Sequence, residues 1–190
     1  RMDSKMIDTD ILNVIDYIRP KTVKTVRHNI IKKEGLNIVK FASPNVNLYG
    51  SLERTFTTCL GLALQEVAAK CGTNVVNVDK SNNKQQGIDL RTSFGEGQMK
   101  LYVNTQSGTH TRDSIKLLRE NATKPFFVYA LEKKPKTTIK DDIVYYYGSN
   151  FWSKIGIDFT DLHDTIVYVI QQTEKDLSTP IDNPLIRCFA

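Results

Sequence analysis

Asp89 is the acidic residue with the clearest chemical context in this sequence of 190 residues. It lies in Ile88 to Thr92, a short segment that predicts a β-strand. Met99 to Gln106 alternates apolar and polar residues, which predicts a second strand. Gly95-Glu96-Gly97 predicts the turn between them, because glycine adopts positive φ at little cost. The pattern therefore predicts a hairpin that sets one carboxylate beside the polar face of a neighbouring strand.

The polar face of the second predicted strand carries Lys100, Tyr102, Asn104 and Gln106. With the turn at Gly95 to Gly97, Asp89 is expected close to residues 102 to 104. Asn104 offers a side-chain carbonyl oxygen, and Gln106 can orient a water by hydrogen bonds. One carboxylate and neutral oxygen donors on a rigid hairpin are typical of a metal-dependent site.

The hairpin resembles that of the PD-(D/E)XK nucleases, a superfamily best known from restriction endonucleases. Ile88-Asp89 stands where the family has Pro-Asp, and Asn104-Thr105-Gln106-Ser107-Gly108 stands where it has Asp/Glu-x-Lys-Ser-Gly. The resemblance implies Mg²⁺-dependent cleavage of double-stranded DNA by a homodimer. It also implies that Asp89, Asn104 and the main-chain carbonyl of Thr105 bind the metal, and that Gln106 replaces the lysine that positions the attacking water.

A second register of the same motif stays open. Gln98-Met99-Lys100 also reads as Q-x-K after Asp89, and it keeps the lysine. This register ranks below the first, because Gln98 and Lys100 lie next to the predicted turn, whereas the family's pair ends the strand. A glutamate from the preceding helix often approaches the metal in the family. Glu53 and Glu66 are the candidates, and each is also explained as a surface glutamate.

The net charge of +5 and the pI of about 9.0 suit a polyanionic partner without proving one. Two basic stretches, Lys21 to Lys40 and Lys133 to Lys140, are either phosphate contacts or solvated surface. Arg112 is expected to bind phosphate, because arginine can offer two donors to it. The predicted DNA-contacting residues are Arg112, His110, Lys133, Lys134 and Lys136.

The cysteines and the hydropathy pattern bear on the compartment. Cys59, Cys71 and Cys188 are odd in number and widely spaced, with no zinc-binding motif. Free thiols suggest a reducing compartment, so we expect a cytoplasmic protein. The sequence contains no apolar run of about 18 residues, and its beginning lacks the apolar core of a signal peptide. We therefore expect no membrane partner.

The elements around the hairpin predict an α/β domain with a mixed central β-sheet flanked by helices, as in restriction endonucleases. We expect a single domain over residues 1–190, with a core at about 48–147, an N-terminal helical extension at 1–47 and a C-terminal helix and tail at 148–190. Predicted helices cover Asp8 to Ile18, Ser51 to Cys71, a segment after Asp113 ending at Asn121, and Asp161 to Asp176. Predicted strands cover Asn74 to Val78, Pro125 to Leu131 and Ile143 to Tyr147, and predicted loops cover Ala42 to Gly50 and Lys133 to Lys140.

Three functional hypotheses follow. The leading one is a type II restriction endonuclease that cuts double-stranded DNA at a specific sequence. The second is a nuclease of the same fold in repair, recombination or phage biology. The third is a DNA-binding module whose nuclease site has decayed, and the neutral side chains of Asn104 and Gln106 favour it.

Overall fold

A computed structural model describes residues 7–31, 44–80, 85–103 and 108–178. They form an α/β fold with a six-stranded sheet that contains both parallel and antiparallel pairs. The strands are β1 (Val75–Asn77), β2 (Leu90–Thr92), β3 (Gly95–Lys100), β4 (Pro125–Tyr129), β5 (Lys136–Lys140) and β6 (Ile143–Tyr147). The helices are α1 (Thr9–Ile15), α2 (Ile18–Ile31), α3 (Pro44–Cys71), α4 (Gly108–Asn121), α5 (Ser149–Trp152) and α6 (Phe159–Ser178). The predicted α/β class with a mixed sheet is confirmed.

The strand order in the sheet is β1-β2-β3-β4-β6-β5. The first three strands form an antiparallel meander, and β4 then pairs in parallel with both β3 and β6. β5 closes the far edge by pairing antiparallel with β6. β3, β4 and β6 therefore all end at one edge of the sheet, which we call the carboxyl edge.

The two faces of the sheet pack against different helices. On β4, Phe126 and Val128 belong to a core that includes residues of α1, α3, α5 and α6, and we call this the α3 face. Phe127 and Tyr129 belong to a smaller core with Leu118 of α4, and we call this the α4 face. α2 contributes Ile18 to the first core and packs against α3 and α6. The buried strand predicted at Pro125 to Leu131 is confirmed as the centre of both cores.

The helix α3 begins earlier than its sequence predicts. Residues 44–50 fall in the predicted loop but are helical, and Pro44 is tolerated there because the first helical turn needs no amide donor. Ser51 is consequently not the helix cap. It is buried inside α3, where its hydroxyl accepts a hydrogen bond from the Asn29 side chain of α2. The predicted end at Cys71 is correct. The next residue is a glycine, and a Cβ at that position would overlap the carbonyl of Ala68.

The hairpin turn predicted at Gly95 to Gly97 is wrong. The turn is Ser93-Phe94, and Gly95 pairs with Thr92 as the first residue of β3. Gly97 is a glycine for packing reasons, because a Cβ there would overlap the ring and the carbonyl of Phe126 on β4. The strand also ends sooner than predicted, at Lys100 rather than Gln106.

Smaller differences concern three other elements. α4 begins at Gly108, earlier than the predicted start after Asp113, and it ends at Asn121 as predicted. The second half of the predicted Lys133 to Lys140 loop is the edge strand β5. The helical pattern of α6 predicts Ile170 inward, but this side chain is 36% exposed, whereas Leu162 and Val169 are buried as predicted.

Candidate active site

The register of the β2–β3 hairpin sets Asp89 on the α4 face opposite Gln98. Leu90 pairs with Gly97, and one residue earlier the amide of Asp89 donates to the Gly97 carbonyl at 2.9 Å. The Asp89 carbonyl accepts from Val78 at 2.8 Å, so the residue is tied to strands on both sides. Its carboxylate Oδ2 accepts from the amide of Met99 at 2.8 Å. The carboxylate is therefore fixed against β3 between Gln98 and Lys100.

The charge state of Asp89 is set by opposing influences. Burial is the largest, and it raises the pKa of the carboxyl above its ordinary value. The hydrogen bond from Met99 and the positive charge of Lys100 lower the pKa, whereas the charge of Asp79 raises it. Lys100 therefore favours the ionised carboxylate, which is the form that binds a cation.

Gln98 supplies a buried oxygen beside that carboxylate. Its side-chain amide Nε2 donates to the Gly87 carbonyl at 2.7 Å and to the Ser114 carbonyl of α4 at 3.4 Å. Its Oε1 is buried and has no hydrogen-bond partner among the described residues. A buried oxygen without a partner is costly, so this atom fits a site where a donor or a cation approaches.

The oxygen donors of the hairpin fit Mg²⁺ better than a softer metal. Mg²⁺ is commonly bound through one or two carboxylates and keeps several waters, so Asp89 and Gln98 Oε1 would be enough protein ligands. Within the four described ranges, no three His, Cys, Asp or Glu side chains are grouped closely enough to hold a metal ion. A centre held by three such side chains is therefore absent from that part of the chain, and a Mg²⁺ at Asp89 and Gln98 would keep waters among its ligands.

The three residues of the first predicted register, Asn104, Thr105 and Gln106, lie outside the described residues, and their roles stay a prediction. The described residues nearest to them, Tyr102 and Val103, follow the end of β3 and are both 44% exposed. The register sets Asp89 beside Gln98 and not beside these two residues. What the structure brings together is thus Asp89 with the Gln98-Lys100 pair, the second register.

The two candidate glutamates of α3 occupy different environments. Glu66 is buried, accepts a hydrogen bond from Asn77 at 2.7 Å, and forms ion pairs with Lys80 at 3.1 Å and Lys70 at 3.5 Å. Asn77 pairs with Leu90, so Glu66 approaches the hairpin next to Asp89 from the α3 face. Glu53 is exposed, and thirteen helical residues separate it from Glu66 by about 20 Å. One site cannot use both.

The predicted DNA-contacting residues are all exposed. His110 and Arg112 lie in the first turns of α4. Lys133 and Lys134 follow the end of β4, and Lys136 begins β5 opposite Tyr147. Because β5 runs antiparallel to β6, these three lysines share the carboxyl edge with Lys100.

Sequence reasoning missed the tyrosines beside this site. Tyr129 and Tyr147 lie on the α4 face, and burial, followed by neighbouring tyrosines and Glu132, raises the pKa of Tyr129 to about 12. The Tyr129 hydroxyl therefore stays a neutral donor at physiological pH. The sequence does contain a signal for them: Tyr145 and Tyr147 lie two positions apart, so they share one face of their strand. The rest of that segment indicates only a buried strand.

No protein-family model matches the chain, and no curated protein is significantly similar to it in sequence. None of the helices within the described ranges has the length and apolar character needed to cross a membrane.

Proposed function

We propose that the chain is a Mg²⁺-dependent DNA endonuclease of the restriction-endonuclease-like kind, with its site at the β2–β3 hairpin. The observation that carries the proposal is the Asp89 carboxylate bonded to the Met99 amide, with Gln98 and Lys100 on either side. This is the D…Q-x-K form of the motif that the sequence resembles. The order α3, β1 to β3, α4 and β4 also agrees with the helix and strand order expected from the resemblance.

Each residue has a distinct role in the proposed reaction. Asp89 and Gln98 hold the cation, and Lys100 orients the attacking water and stabilises negative charge on the phosphate. A bound Mg²⁺ supplies an activated water and charge neutralisation at phosphorus. Lys100 also opposes the rise that burial causes in the pKa of Asp89, so it favours the ionised carboxylate before substrate arrives.

The finer functional statements come from the resemblance. Cleavage of duplex DNA at a specific sequence, by a homodimer, is the type II restriction endonuclease form of the proposal. A repair or recombination nuclease would use the same site but would produce no discrete fragments from mixed-sequence DNA.

The competing proposal is a DNA-binding module with a decayed site, which Asn104 and Gln106 favour. Lys100 argues against it, because the second register keeps the positive charge that the first one lacks. The two proposals differ in one outcome, which is whether DNA is cut or only bound.

Single-turnover cleavage of mixed-sequence duplex DNA with Mg²⁺ tests the proposal. We expect Asp89→Ala and Lys100→Ala to lose more than about 10²-fold in rate while still binding DNA, because each removes a group aimed at the reacting centre. Gln106→Ala is expected to cut at the parent rate. The matched control is Lys124→Ala, which removes an exposed lysine just before β4 at the opposite edge of the sheet.

Each contrary result identifies a specific error. An active Lys100→Ala beside a dead Gln106→Ala would show that the first register carries the chemistry. If the parent chain binds DNA but does not cut it with any divalent cation, the nuclease proposal is wrong and the DNA-binding module is the proposal that remains.

A further inference from the structure

A continuous row of four side chains crosses the α4 face at the carboxyl edge. Lys100 of β3 pairs with Tyr129 of β4, Tyr129 pairs with Tyr147 of β6, and Tyr147 pairs with Lys136 of β5. Directly paired residues share one face of a sheet, so this lysine–tyrosine row leads from the candidate site to the far edge strand.

Ring and cation contacts hold the outer half of the row in place. The Tyr129 and Tyr147 rings lie 5.1 Å apart, and the Lys136 Nζ lies 5.9 Å from the centre of the Tyr147 ring. Tyr129 is almost fully buried, whereas Tyr147 is half-buried and Lys136 is exposed. The row therefore becomes accessible towards β5.

Basic side chains from two elements flank the outer end of the row. On β5, Lys136 and Lys140 point to the same face, because they lie an even number of positions apart. On α4, basic residues recur at helical spacing, i, i+4 and i+7, and they border a cleft with the β5–β6 turn. The residues that line this cleft are Arg112, Ile115, Lys116, Arg119, Glu120, Lys140 and Asp141.

Around this cleft and the outer end of the row, positively charged side chains outnumber negatively charged ones. Arg119 is held by Asp141 at 3.3 Å, and Lys116 lies 3.9 Å from Glu120. Within the described ranges, no acidic side chain forms an ion pair with Arg112, Lys136 or Lys140. Lys136 is thus available beside the half-buried Tyr147 ring, and the cleft offers two further cations, a combination that suits a sugar–phosphate backbone.

We infer that the outer end of the row, together with this cleft, forms a groove that binds the backbone of the cut DNA strand on one side of the scissile phosphate. The inference rests on the proposed function for the position of that phosphate at Lys100. Strands are spaced about 4.8 Å apart, so Lys136 lies about 14 Å from Lys100 across the row. Successive phosphates of one strand lie about 7 Å apart, because each step follows the helical path as well as the rise of about 3.4 Å, so Lys136 contacts a phosphate about two nucleotides from the cut.

The test combines a protein substitution with a neutralised phosphate. In the Asp89→Ala background, which binds without cutting, duplexes carrying one methylphosphonate at successive positions are bound by the chain with Lys136 or with Lys136→Gln. We expect Lys136→Gln to weaken binding severalfold and to lower the salt slope by about one. One methylphosphonate, about two nucleotides from the cut, should weaken the parent by the same factor and leave Lys136→Gln unaffected.

The control and the contrary results keep the groove separate from the nuclease activity. Lys124→Gln should show no coupling to any methylphosphonate position. The groove proposal would be wrong if each methylphosphonate lowered the DNA affinity of Lys136→Gln and of the parent equally at every position. Normal cleavage by the parent chain would then leave the nuclease proposal standing. Coupling at one phosphate, with no cleavage by the parent chain, would support the groove and remove the nuclease.

Discussion

The two faces of the sheet use the same strands for different purposes. On β3, Met99 points to the α3 face and is 4% exposed among apolar neighbours, whereas Lys100 points to the α4 face beside Asp89. The α3 face contains Trp152, whose indole donates to the Ala130 carbonyl, and every polar group in that contact is satisfied. Each face keeps one buried side-chain oxygen without a partner among the described residues, Asn77 Oδ1 on the α3 face and Gln98 Oε1 on the α4 face, but the α4 face also contains Asp89, whose pKa is raised by burial.

This difference suggests that successive residues of one strand have different roles, because they point to opposite faces. One stabilises the fold, and the next contributes to the candidate site. A face that keeps a buried oxygen unpartnered and a carboxylate partly desolvated gives up stability, as sites that act on ligands often do. The opposite face recovers it by close packing. Substitutions of neighbouring residues should therefore have different kinds of effect.

The largest stability effect is expected for Met99→Ala. Truncating a side chain that is 4% exposed should lower the free energy of unfolding by about 2–5 kcal/mol. The backbone amide that donates to Asp89 remains, so the cleavage rate per folded molecule should not change. Denaturant unfolding and single-turnover cleavage measure the two quantities. A stable Met99→Ala that no longer cuts would erase the separation of the two faces.

A smaller loss is expected for Gly97→Ala, whose added Cβ would point to the α3 face. The added Cβ would overlap Phe126, so we expect about 1–3 kcal/mol of destabilisation. Phe126→Leu should relieve part of this cost, and the double variant should be more stable than the two single losses predict. Chemical denaturation of the parent, both single variants and the double variant measures the coupling. Strictly additive losses would mean that Phe126 is not the reason for the glycine at position 97.

The smallest effect is expected for Asp89→Asn, and its sign reverses the usual pattern. Because burial raises the pKa of Asp89, the folded chain holds this proton more tightly than the unfolded chain. The carboxyl therefore costs nothing below its ordinary pKa, and it destabilises the fold increasingly as pH rises through the raised pKa. The amide side chain of the Asp89→Asn variant would keep the bond from Met99 without the charge.

The corresponding measurement is thermal unfolding of parent and Asp89→Asn from acidic to neutral pH. We expect the variant to unfold at a higher temperature near neutral pH, with the difference fading at acidic pH. A difference that grows on acidification would mean that Asp89 is stabilised as an anion, and the contrast with the α3 face would lose its electrostatic basis.

Local patterns are sufficient to predict several elements but not their arrangement. The apolar run at Pro125 to Leu131 predicts a central strand, because burial on both faces leaves few positions for polar residues. The segment Ile143 to Tyr147 predicts a further strand. The strand order and the insertion of β5 at the edge depend on pairings between distant segments, which one sequence does not display. Residues 44–50 are helical and belong to a helix that packs on α2, which their loop-like composition does not reveal.

The candidate site is predictable in part. The sequence identifies Asp89 and the alternative pair Gln98 and Lys100, but its glycines at 95 and 97 indicate a turn. The reason for Gly97 is Phe126, 29 residues further along the chain, so no local rule could separate a turn glycine from a packing glycine. Interpreting these glycines as a turn displaces the strand and favours Asn104 and Gln106, and it also hides the row that ends at Lys136.

The two-residue connection between β2 and β3 has a consequence for how the site is assembled. Closing so short a loop costs little chain entropy, whereas pairing β3 with β4 must close a loop of more than twenty residues. Asp89, Gln98 and Lys100 can therefore meet early in folding, within the microseconds that hairpins need, while the flanking groove waits for the parallel pairings. The geometry of the candidate hairpin is thus set by local pairing, before the more distant pairings that build its surroundings.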